Sequence, residues 1–379
     1  MRRIVVAPDS FKGSLTALEV AGHMAAGIGR VLPDCRVDRF AMADGGEGSI
    51  DAVLATRRGE RHFEPVANAI GVPAAAAFAT LDDGGRLTAL LEVAQVVGLP
   101  AAPGSVAQRS SYGVGQQLRR ALDLGVHGVL VALGGSSTNE AGAGLLAALG
   151  ARFSGRDGRA IERPALCDLE HIVTVDFAQL DARLAGVHLA ALSDIDSPLC
   201  GAAGATAVFG PQKGVASERV ALYDGWIRHF AALCEAALGR QVANSPGAGA
   251  AGGLGWALQL LGAEAKSGAI AIAEMNGLDA ALADADWALT GEGRSDAQTL
   301  RGKAPLAVAQ LARRHGTAVT LLSGGIAADS LHALATHFDG CFSIIPRPMA
   351  LELAIESAGE LLADAAEQLT RLRMARLAR

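Results

Sequence analysis

The sequence predicts an α/β protein with two domains, and three observations support this fold class. Short apolar runs alternate with helical segments near both ends of the chain, which is typical of a parallel sheet with crossover helices. The middle of the chain begins instead with segments that are predicted to be extended and that are separated by glycine-containing turns. At 379 residues the chain is also too long for one ordinary hydrophobic core.

The N-terminal region contains the first two strands of the predicted parallel sheet. Residues 4–7 form a β-branched run that ends at Pro8, and apolar residues then recur at helical spacing from Leu15 to Met24. Residues 37–42 repeat this pattern and precede a helix over 50–55. Both predicted strands end in charged loops.

The middle of the chain begins with three extended runs, over 62–67, 74–81 and 87–97. Glycine-containing turns separate them, which predicts antiparallel pairing. Alternation then returns, with these elements in order: helix 112–124, strand 128–133, helix 141–149, strand 188–192, and helices over 217–238 and 254–261. The glycine-rich stretch 244–253 is either a flexible linker or a close-packed turn.

The last third of the chain alternates regularly between strands and helices. The strands are predicted over 287–290, 318–323 and 341–345, and the helices over 305–314, 328–335 and 351–372. Because the same alternation of strands and helices is predicted in the N-terminal region, we predict a discontinuous parallel-sheet α/β domain from residues 1–65 and 285–379. A second α/β domain, residues 66–284, is inserted between its two parts.

Composition and charge exclude several classes of function. Aromatic residues make up 4% of the chain and the net charge is -6, so no nucleic-acid partner is predicted. No stretch approaches the ~18 apolar residues of a membrane span. Five scattered cysteines without a CxxC pair predict reduced thiols rather than disulfides or a zinc site. We therefore expect a cytoplasmic protein with no membrane partner, either a monomer or a homodimer.

Five glycine-rich turns indicate phosphate chemistry. They lie at 43–48, 134–144, 247–255, 290–296 and 323–325, each with an acid, a lysine or hydroxyls nearby. Glycine lets backbone N–H groups approach an oxyanion closely, and neighbouring carboxylates and lysines handle metal and phosphoryl charge. The sequence contains neither GxxxxGK[ST] nor a strand-linked GxGxxG, so it indicates neither a P-loop nor a Rossmann dinucleotide site. It also lacks GxSxG and HExxH, which disfavours a hydrolase.

Charged residues recur at the predicted strand ends, where the ligand crevice of an open α/β sheet lies. They are Asp9 with Lys12, Asp44 with Glu47, Asp194 with Asp196, and Glu292 with Asp296. Any one of these acids is as readily a helix cap or a turn residue. Four such ends in one chain favour a functional site.

One glycine-rich segment could cradle phosphates through its N–H groups and hydroxyls at a helix N-terminus. Its residues are Gly134, Gly135, Ser136, Ser137 and Thr138. Ordinary N-capping by Ser137, Thr138 or Asn139 is the alternative. Lys213 lies in a turn-forming sequence, and Lys303 precedes a helix start, where a cation is favourable only if an anion is present.

These motifs make the chain resemble the bacterial glycerate kinases of glyoxylate and galactarate breakdown over essentially its whole length. The resemblance is carried by APDSFKGSL at 7–15, MADGGEGS at 42–49, SYGVGQ at 111–116, GGSSTNEAGAGLLAALG at 134–150, DIDSPLCG at 194–201, AVFGPQKG at 207–214, PGAGAAGGLG at 246–255 and TGEGRSDAQTLRGKAP at 290–305. It implies ATP-dependent phosphorylation of D-glycerate, with the 2-hydroxyl as acceptor and 2-phosphoglycerate as product. It also implies two α/β domains with the active site in the cleft between them.

The chain departs from the pattern of that family at two places. Glu140 and Ala141 stand where the family usually has aspartate and glycine, and residues 108–111 replace a threonine-rich segment. As a metal ligand, Glu140 would have a shifted geometry because its arm is longer. In the first turn of a helix it would instead favour the helix dipole. The role of Glu140 is therefore open.

The resemblance also suggests roles in an in-line transfer from Mg-ATP. The residues predicted to bind glycerate or the transferred phosphoryl group are Asp9, Ser10, Lys12, Arg294 and Asp296. The predicted Mg²⁺ ligands are Asp44, Glu47, Asp194 and Glu292, with Asp194 as the base and Lys12 and Asp44 as further catalytic residues. The triphosphate is predicted to contact segment 134–138 together with Lys213, Gly252, Gly253 and Lys303.

Two alternatives to a glycerate 2-kinase stay open at this point. One is a kinase with a different acceptor, either another small hydroxy acid or the 3-hydroxyl of glycerate. The other is a nucleotide-sensing protein that binds ATP without turnover.

Overall fold

The computed structural model of the protein describes residues 3–99 and 102–377. Its strands are β1 Arg3–Val6, β2 Arg36–Arg39, β3 Gly59–Ala67, β4 Pro73–Asp83, β5 Arg86–Glu92, β6 Gly128–Ala132, β7 Arg152–Gly155, β8 Ile172–Asp176, β9 His188–Leu192, β10 Glu264–Lys266, β11 Trp287–Thr290, β12 Arg294–Ser295, β13 Val319–Ser323, β14 Gly325–Ile326 and β15 Gly340–Ser343.

The α-helices complete the element order. They are α1 Ala17–Gly29, α2 Ser49–Leu54, α3 Val93–Val97, α4 Tyr112–Asp123, α5 Ala143–Ala148, α6 Ala205–Phe209, α7 Val220–Leu238, α8 Leu254–Leu260, α9 Gly268–Asn276, α10 Leu278–Ala283, α11 Ala304–Arg314, α12 Leu331–Leu334, α13 Leu351–Glu356 and α14 Ala358–Leu377. No helix among the described residues has both the length and the apolar character needed to cross a membrane.

The chain divides into two compact units. The first unit consists of the N-terminal residues up to Asp44, Asp51–Arg57, and the chain from Gly268 onward, and the second consists of Gly45–Ile50 with Arg58–Ser267. The predicted ranges, 1–65 with 285–379 and 66–284, place three segments differently, namely Gly45–Ile50, residues 58–65 and residues 268–284. β3 belongs to the second unit because it pairs with β4 along its whole length. Residues 268–284 belong to the first unit because α9 and α10 pack against α11.

The first unit contains a five-stranded parallel sheet in the order β15-β13-β11-β1-β2. Alternate residues of each central strand enter different cores. Val5 packs in a cluster with α9, α10 and α11, while Ile4 and Val6 pack in a cluster with α1 and α14. Both faces of the sheet are therefore covered by helices. Because the side chains on both faces of the central strands are buried, the sequences of these strands are almost continuously apolar.

The second unit contains a six-stranded mixed sheet in the order β10-β9-β6-β5-β4-β3. β5, β6, β9 and β10 run parallel, whereas β3 and β4 pair antiparallel. Its core includes buried residues from α4, α5, α7 and α8. The predicted α/β fold class, with parallel sheets and crossover helices, is confirmed.

Some predicted elements were wrong in detail. Residues 93–97 form the helix α3 rather than the end of a strand, because Val93, Val96 and Val97 are buried at helical spacing although valine favours strands. The terminal helix predicted over 351–372 is two helices, α13 and α14, with Ser357 as the C-cap of the first. A capping box between Thr16 and Glu19 starts α1.

Candidate active site

The first unit brings the ends of three strands together. β1 lies between β2 and β11, and the chain leaves β1 toward β2 but later returns as β11 on the other side. Ligands of open α/β sheets bind beyond the carboxyl ends of the strands at such a switch point. The loops after β1, β2 and β11 carry Asp9, Asp44 and Glu292. The Asp9 N–H donates to Gly291 O at 2.8 Å, which ties two of these loops together.

Asp9 is a buried acid at this switch point, with 8% of its surface exposed. Ser10 N donates to Asp9 Oδ1 at 2.6 Å. Burial, together with the nearby carboxylates of Asp44 and Glu292, raises the pKa of Asp9 to about 7. The Ser10 hydrogen bond and the Lys12 ammonium act in the opposite direction. Asp9 therefore changes its charge near neutral pH.

Glu292 is held by three donors. Thr299 Oγ1 and Ser295 Oγ donate to Glu292 Oε1 at 2.6 Å and 3.1 Å, and Lys303 Nζ donates to Oε2 at 3.2 Å. Lys303 is the N-cap residue of α11. Both oxygens of the carboxylate thus have partners, and Glu292 orients a lysine at the cavity described next. Ser295 and Thr299 were not predicted from the sequence, and their positions three and seven residues after Glu292 were the available signal.

A cavity of ≈ 710 Å³ opens at these strand ends, and all its lining residues belong to the first unit. It collects eight predicted site residues: Asp9, Ser10, Lys12, Asp44, Glu292, Arg294, Asp296 and Lys303. Lys12 is exposed, and Arg294 Nε lies 4.0 Å from Asp296 Oδ2 with most of its side chain in solvent. The rest of the lining is mostly apolar and comes from Phe11 and Ser14, from Gly293, from residues 324–327, from the segment after β15, from α13 and from Ala358 at the start of α14.

In the second unit, the predicted phosphate cradle follows β6. Gly134 N donates to Gly45 O at 2.9 Å, and a Cβ at Gly134 would lie 2.6 Å from Gly46 Cα. Only glycine permits this approach of two backbones. Ser137 donates to Val97 O through both its N–H and its Oγ, each at 2.8 Å. These donors are engaged within the unit.

Lys213 lies beneath the same segment and is 4% exposed. Its Nζ donates to Ser136 Oγ at 3.0 Å and to Thr138 O at 2.8 Å. Burial, with a smaller contribution from the charge of Arg109, lowers the pKa of Lys213 to about 7, and the carboxylate of Glu140 opposes this shift. The structure therefore places Lys213 as a buried support of the predicted cradle.

Arg109 is a second buried support, which the sequence analysis missed. Its Nη1 donates to Ser137 O at 3.2 Å and to Lys213 O at 3.1 Å, and its Nη2 donates to Gly104 O at 2.9 Å. One guanidinium thus joins three segments through backbone carbonyls. An isolated arginine in a loop carries no pattern that would predict this.

Gly252 and Gly253 are also buried against the cradle. Gly252 has φ +68, and a Cβ there would lie 2.1 Å from Thr138 O; Gly253 has φ +95, and its Cβ would lie 2.6 Å from Ala141 Cα. Gly252 O accepts from Ala141 N at 2.9 Å. Of the two alternatives for the stretch 244–253, the structure shows the close-packed turn. Both glycines contact protein backbone here.

Glu140 is fully buried. Its Oε1 accepts from Ser111 N at 2.9 Å and from Ser111 Oγ. Burial raises the pKa of Glu140, and the two hydrogen bonds from Ser111 oppose the rise. Glu140 therefore has a structural role, because its side chain connects the 111–116 motif to the glycine-rich segment 134–144.

The four acids predicted to bind a metal are divided between the units. Asp44 and Glu292 lie in the first unit, and Glu47 and Asp194 lie in the second. Asp194 follows β9, is half-buried, and accepts from Ser267 Oγ at 2.7 Å through its Oδ1. Glu47 is exposed.

Comparisons with known proteins agree on one family. The sequence model of the glycerate kinase family matches residues 4–374. A glycerate kinase from Bacillus subtilis (strain 168) is 38% identical, covering 95% of this chain and 94% of the relative. A glycerate 2-kinase from Escherichia coli (strain K12) is 34% identical, with 94% of each chain covered.

A crystal structure assigned as glycerate kinase 2 from Salmonella typhimurium LT2 has the same fold, with a TM-score of 0.86, 36% identity and 100% of both chains covered. The fold and these relatives define the protein as a phosphotransferase with an alcohol group as acceptor. The chain belongs to the glycerate kinase family.

Proposed function

We propose that the protein transfers the γ-phosphoryl group of ATP to the 2-hydroxyl of D-glycerate, giving 2-phosphoglycerate and ADP. The observation that carries this proposal is the cavity of the first unit, where acids and cations meet at the topological switch point of a parallel sheet. The family and the Escherichia coli relative named glycerate 2-kinase support the acceptor and its position.

The cations of the cavity suit the anionic reactants. Glycerate carries a carboxylate, and the transferred phosphoryl group spreads negative charge over its oxygens. Lys12, Arg294 and Lys303 line the same cavity and can neutralise this charge. Ser10 supplies a hydroxyl beside Asp9. Positioning and charge neutralisation of this kind account for most of the catalysis in phosphoryl transfer.

The donor set of the cavity also fits Mg²⁺. Among residues 3–99 and 102–377, no three His, Cys, Asp or Glu side chains form a ready metal cage. Mg²⁺ in kinases is instead bound by one or two carboxylates together with substrate phosphates. Asp44 is the carboxylate best placed to hold it, since its repulsion with Asp9 would be relieved by a cation. Bound Mg²⁺ would neutralise charge on the β- and γ-phosphates.

Two acids are candidates for the base that accepts the hydroxyl proton of glycerate. Asp194 is the residue predicted from the sequence. Asp9 is favoured by its pKa of about 7, since a general base works best with a pKa near the working pH. Comparing Asp9→Asn with Asp194→Asn separates them, because loss of the base lowers kcat much more than it raises KM for glycerate.

The function is tested by a coupled assay of ADP release with D-glycerate, ATP and Mg²⁺, followed by ³¹P NMR of the product. We expect turnover and a 2-phosphoglycerate signal. A 3-phosphoglycerate signal would correct the position, and turnover only with another hydroxy acid would correct the acceptor. ATP binding without turnover on any of these acids would favour the nucleotide-sensing alternative.

A further inference from the structure

The cavity of the first unit is larger than glycerate requires. It has a volume of ≈ 710 Å³, within the range of sites that take drug-sized or nucleotide-sized ligands. Glycerate has three carbons, each of which carries oxygen. A three-carbon acid that binds beside Lys12 and Asp9 would leave most of this volume for a second ligand.

One wall of the cavity is apolar. It consists of Ile344 and Ile345 after β15, Met349, and Leu351 and Ile355 of α13. Glycerate has no apolar surface for such a wall to recognise. A flat heterocyclic base does, because burial of its faces against aliphatic side chains is favourable.

The strand order sets the distance between the two parts of the cavity. The acids follow β1 and β11, and the apolar wall begins after β15, which is three strands from β1 in the sheet. Neighbouring strands are about 4.8 Å apart, so the cavity extends over roughly 14 Å along the sheet edge. An extended nucleoside triphosphate has a comparable length, with anionic phosphates at one end and an apolar base at the other.

The predicted phosphate-binding segment of the second unit has fewer groups and less space available to bind a triphosphate. Lys213 is buried and directs its ammonium to Ser136 Oγ and Thr138 O. Gly252 and Gly253 pack against the backbone of the same segment. The cations Lys12 and Lys303 instead line a cavity that is large enough for the ligand.

We propose that the cavity of the first unit is the nucleotide site. The triphosphate of a purine nucleotide lies near Lys12 and Lys303, and its base lies on the apolar wall formed by Ile344, Met349 and Ile355. This inference rests on the proposed function, since it names where the phosphoryl donor of that reaction binds. It moves the donor away from segment 134–138, where the sequence analysis placed it.

The test compares two substitutions on one helix. Ile355 of α13 lines the cavity, whereas Leu353 of the same helix is 46% exposed and does not line it. We expect Ile355→Asp to weaken binding of Mg·AMP-PNP in isothermal titration calorimetry by at least tenfold. The matched control Leu353→Asp should change the affinity less than twofold. In the coupled assay, Ile355→Asp should raise KM for ATP and leave KM for glycerate within twofold.

A second measurement does not depend on a substitution. Photolabelling of the wild-type protein with 8-azido-ATP, followed by peptide mapping, should mark residues within 344–358. Label within 134–138 or 207–214, or equal affinities of the two variants, would overturn the inference while wild-type turnover leaves the proposed function standing. A wild-type protein that binds AMP-PNP on this wall but phosphorylates no hydroxy acid would contradict the function and leave the nucleotide site in place.

Discussion

Lys303 Nζ lies 3.2 Å from Glu292 Oε2, and this pair connects the N-terminus of α11 to the loop after β11. The lysine is partly exposed to the cavity, whereas Glu292 is 5% exposed and is also held by Ser295 and Thr299. The pair therefore fixes a cation at the cavity, which is where the proposed reaction would need one to neutralise phosphoryl charge. It also compensates a buried carboxylate.

Replacing Lys303 by methionine should affect stability and activity together. Glu292 would lose its counter-charge, and the free energy of unfolding should fall by about 1–3 kcal/mol. The rate of ADP release should fall as well, because one cation of the cavity is gone. Urea denaturation and the coupled assay measure the two effects. Lys303→Arg keeps the charge and is the control, and equal losses in both variants would argue against the electrostatic explanation.

Lys213 should make stability depend on pH. In the folded protein its pKa is about 7, whereas in the unfolded chain the ordinary value of 10.5 applies. Between these values the unfolded state binds the extra proton, so this residue makes the free energy of unfolding rise with pH from about 7 to 10.5. Below about 7 both states are charged and the contribution is constant.

The measurement is urea denaturation of the wild type and of Lys213→Met at several pH values in that window. The difference in free energy between the two proteins should move in favour of the wild type as the pH rises. Lys266→Met removes a more exposed lysine of the same unit and is the control. A constant difference for Lys213→Met would show that the lysine stays charged in the fold.

Gly252 should tolerate no side chain. It combines φ +68 with a Cβ position 2.1 Å from Thr138 O, so alanine adds a backbone clash to left-handed strain. We expect Gly252→Ala to lower the free energy of unfolding by about 3–5 kcal/mol. Gly239→Ala is the matched control in the same unit, because Gly239 has φ +65 and open space around its Cβ position. It should cost only about 1–2 kcal/mol, and similar losses in thermal melts would mean that the segment relaxes.

Glu140 should accept a change of charge more readily than a change of length. Burial raises the pKa of this carboxyl and so disfavours its charged form, and Ser111 N donates to its Oε1. Glu140→Gln keeps both length and acceptor, so we expect a small effect. Glu140→Asp shortens the arm and leaves Ser111 without its acceptor, at a cost of about 1–3 kcal/mol. Denaturation curves that rank the two variants in the opposite order would contradict this assignment.

The acids of the first unit could be identified from the sequence because each follows a predicted strand and precedes a helix. Asp9, Asp44 and Glu292 occupy the loops after β1, β2 and β11, and the carboxyl ends of parallel strands meet at one edge of a sheet. Their common place could therefore be predicted from periodicity and strand ends. That these acids line one cavity could not be predicted, because the local sequence does not determine the order of strands in the sheet.

Glycine content in the second unit does not by itself tell what each glycine approaches. A glycine that approaches a phosphate and one that approaches a second backbone have the same local sequence. Gly134 and Gly252 lie against Gly46 and Thr138, and only the folded chain shows these neighbours. Arg109 illustrates the same point for a charged residue, because its partners are carbonyls from distant segments.

The sequence by itself determined the alternating α/β elements, the parallel sheets, the acids at the strand ends and membership of a kinase family, because these depend on local periodicity and on contiguous motifs. Tertiary structure alone decided that Lys213 is buried in hydrogen bonds, that Glu140 is a core residue, and that Ile344, Met349 and Ile355 form an apolar wall beside the acids. These properties depend on burial and on contacts between segments far apart in the chain, which set pKa values and cavity shape only after folding.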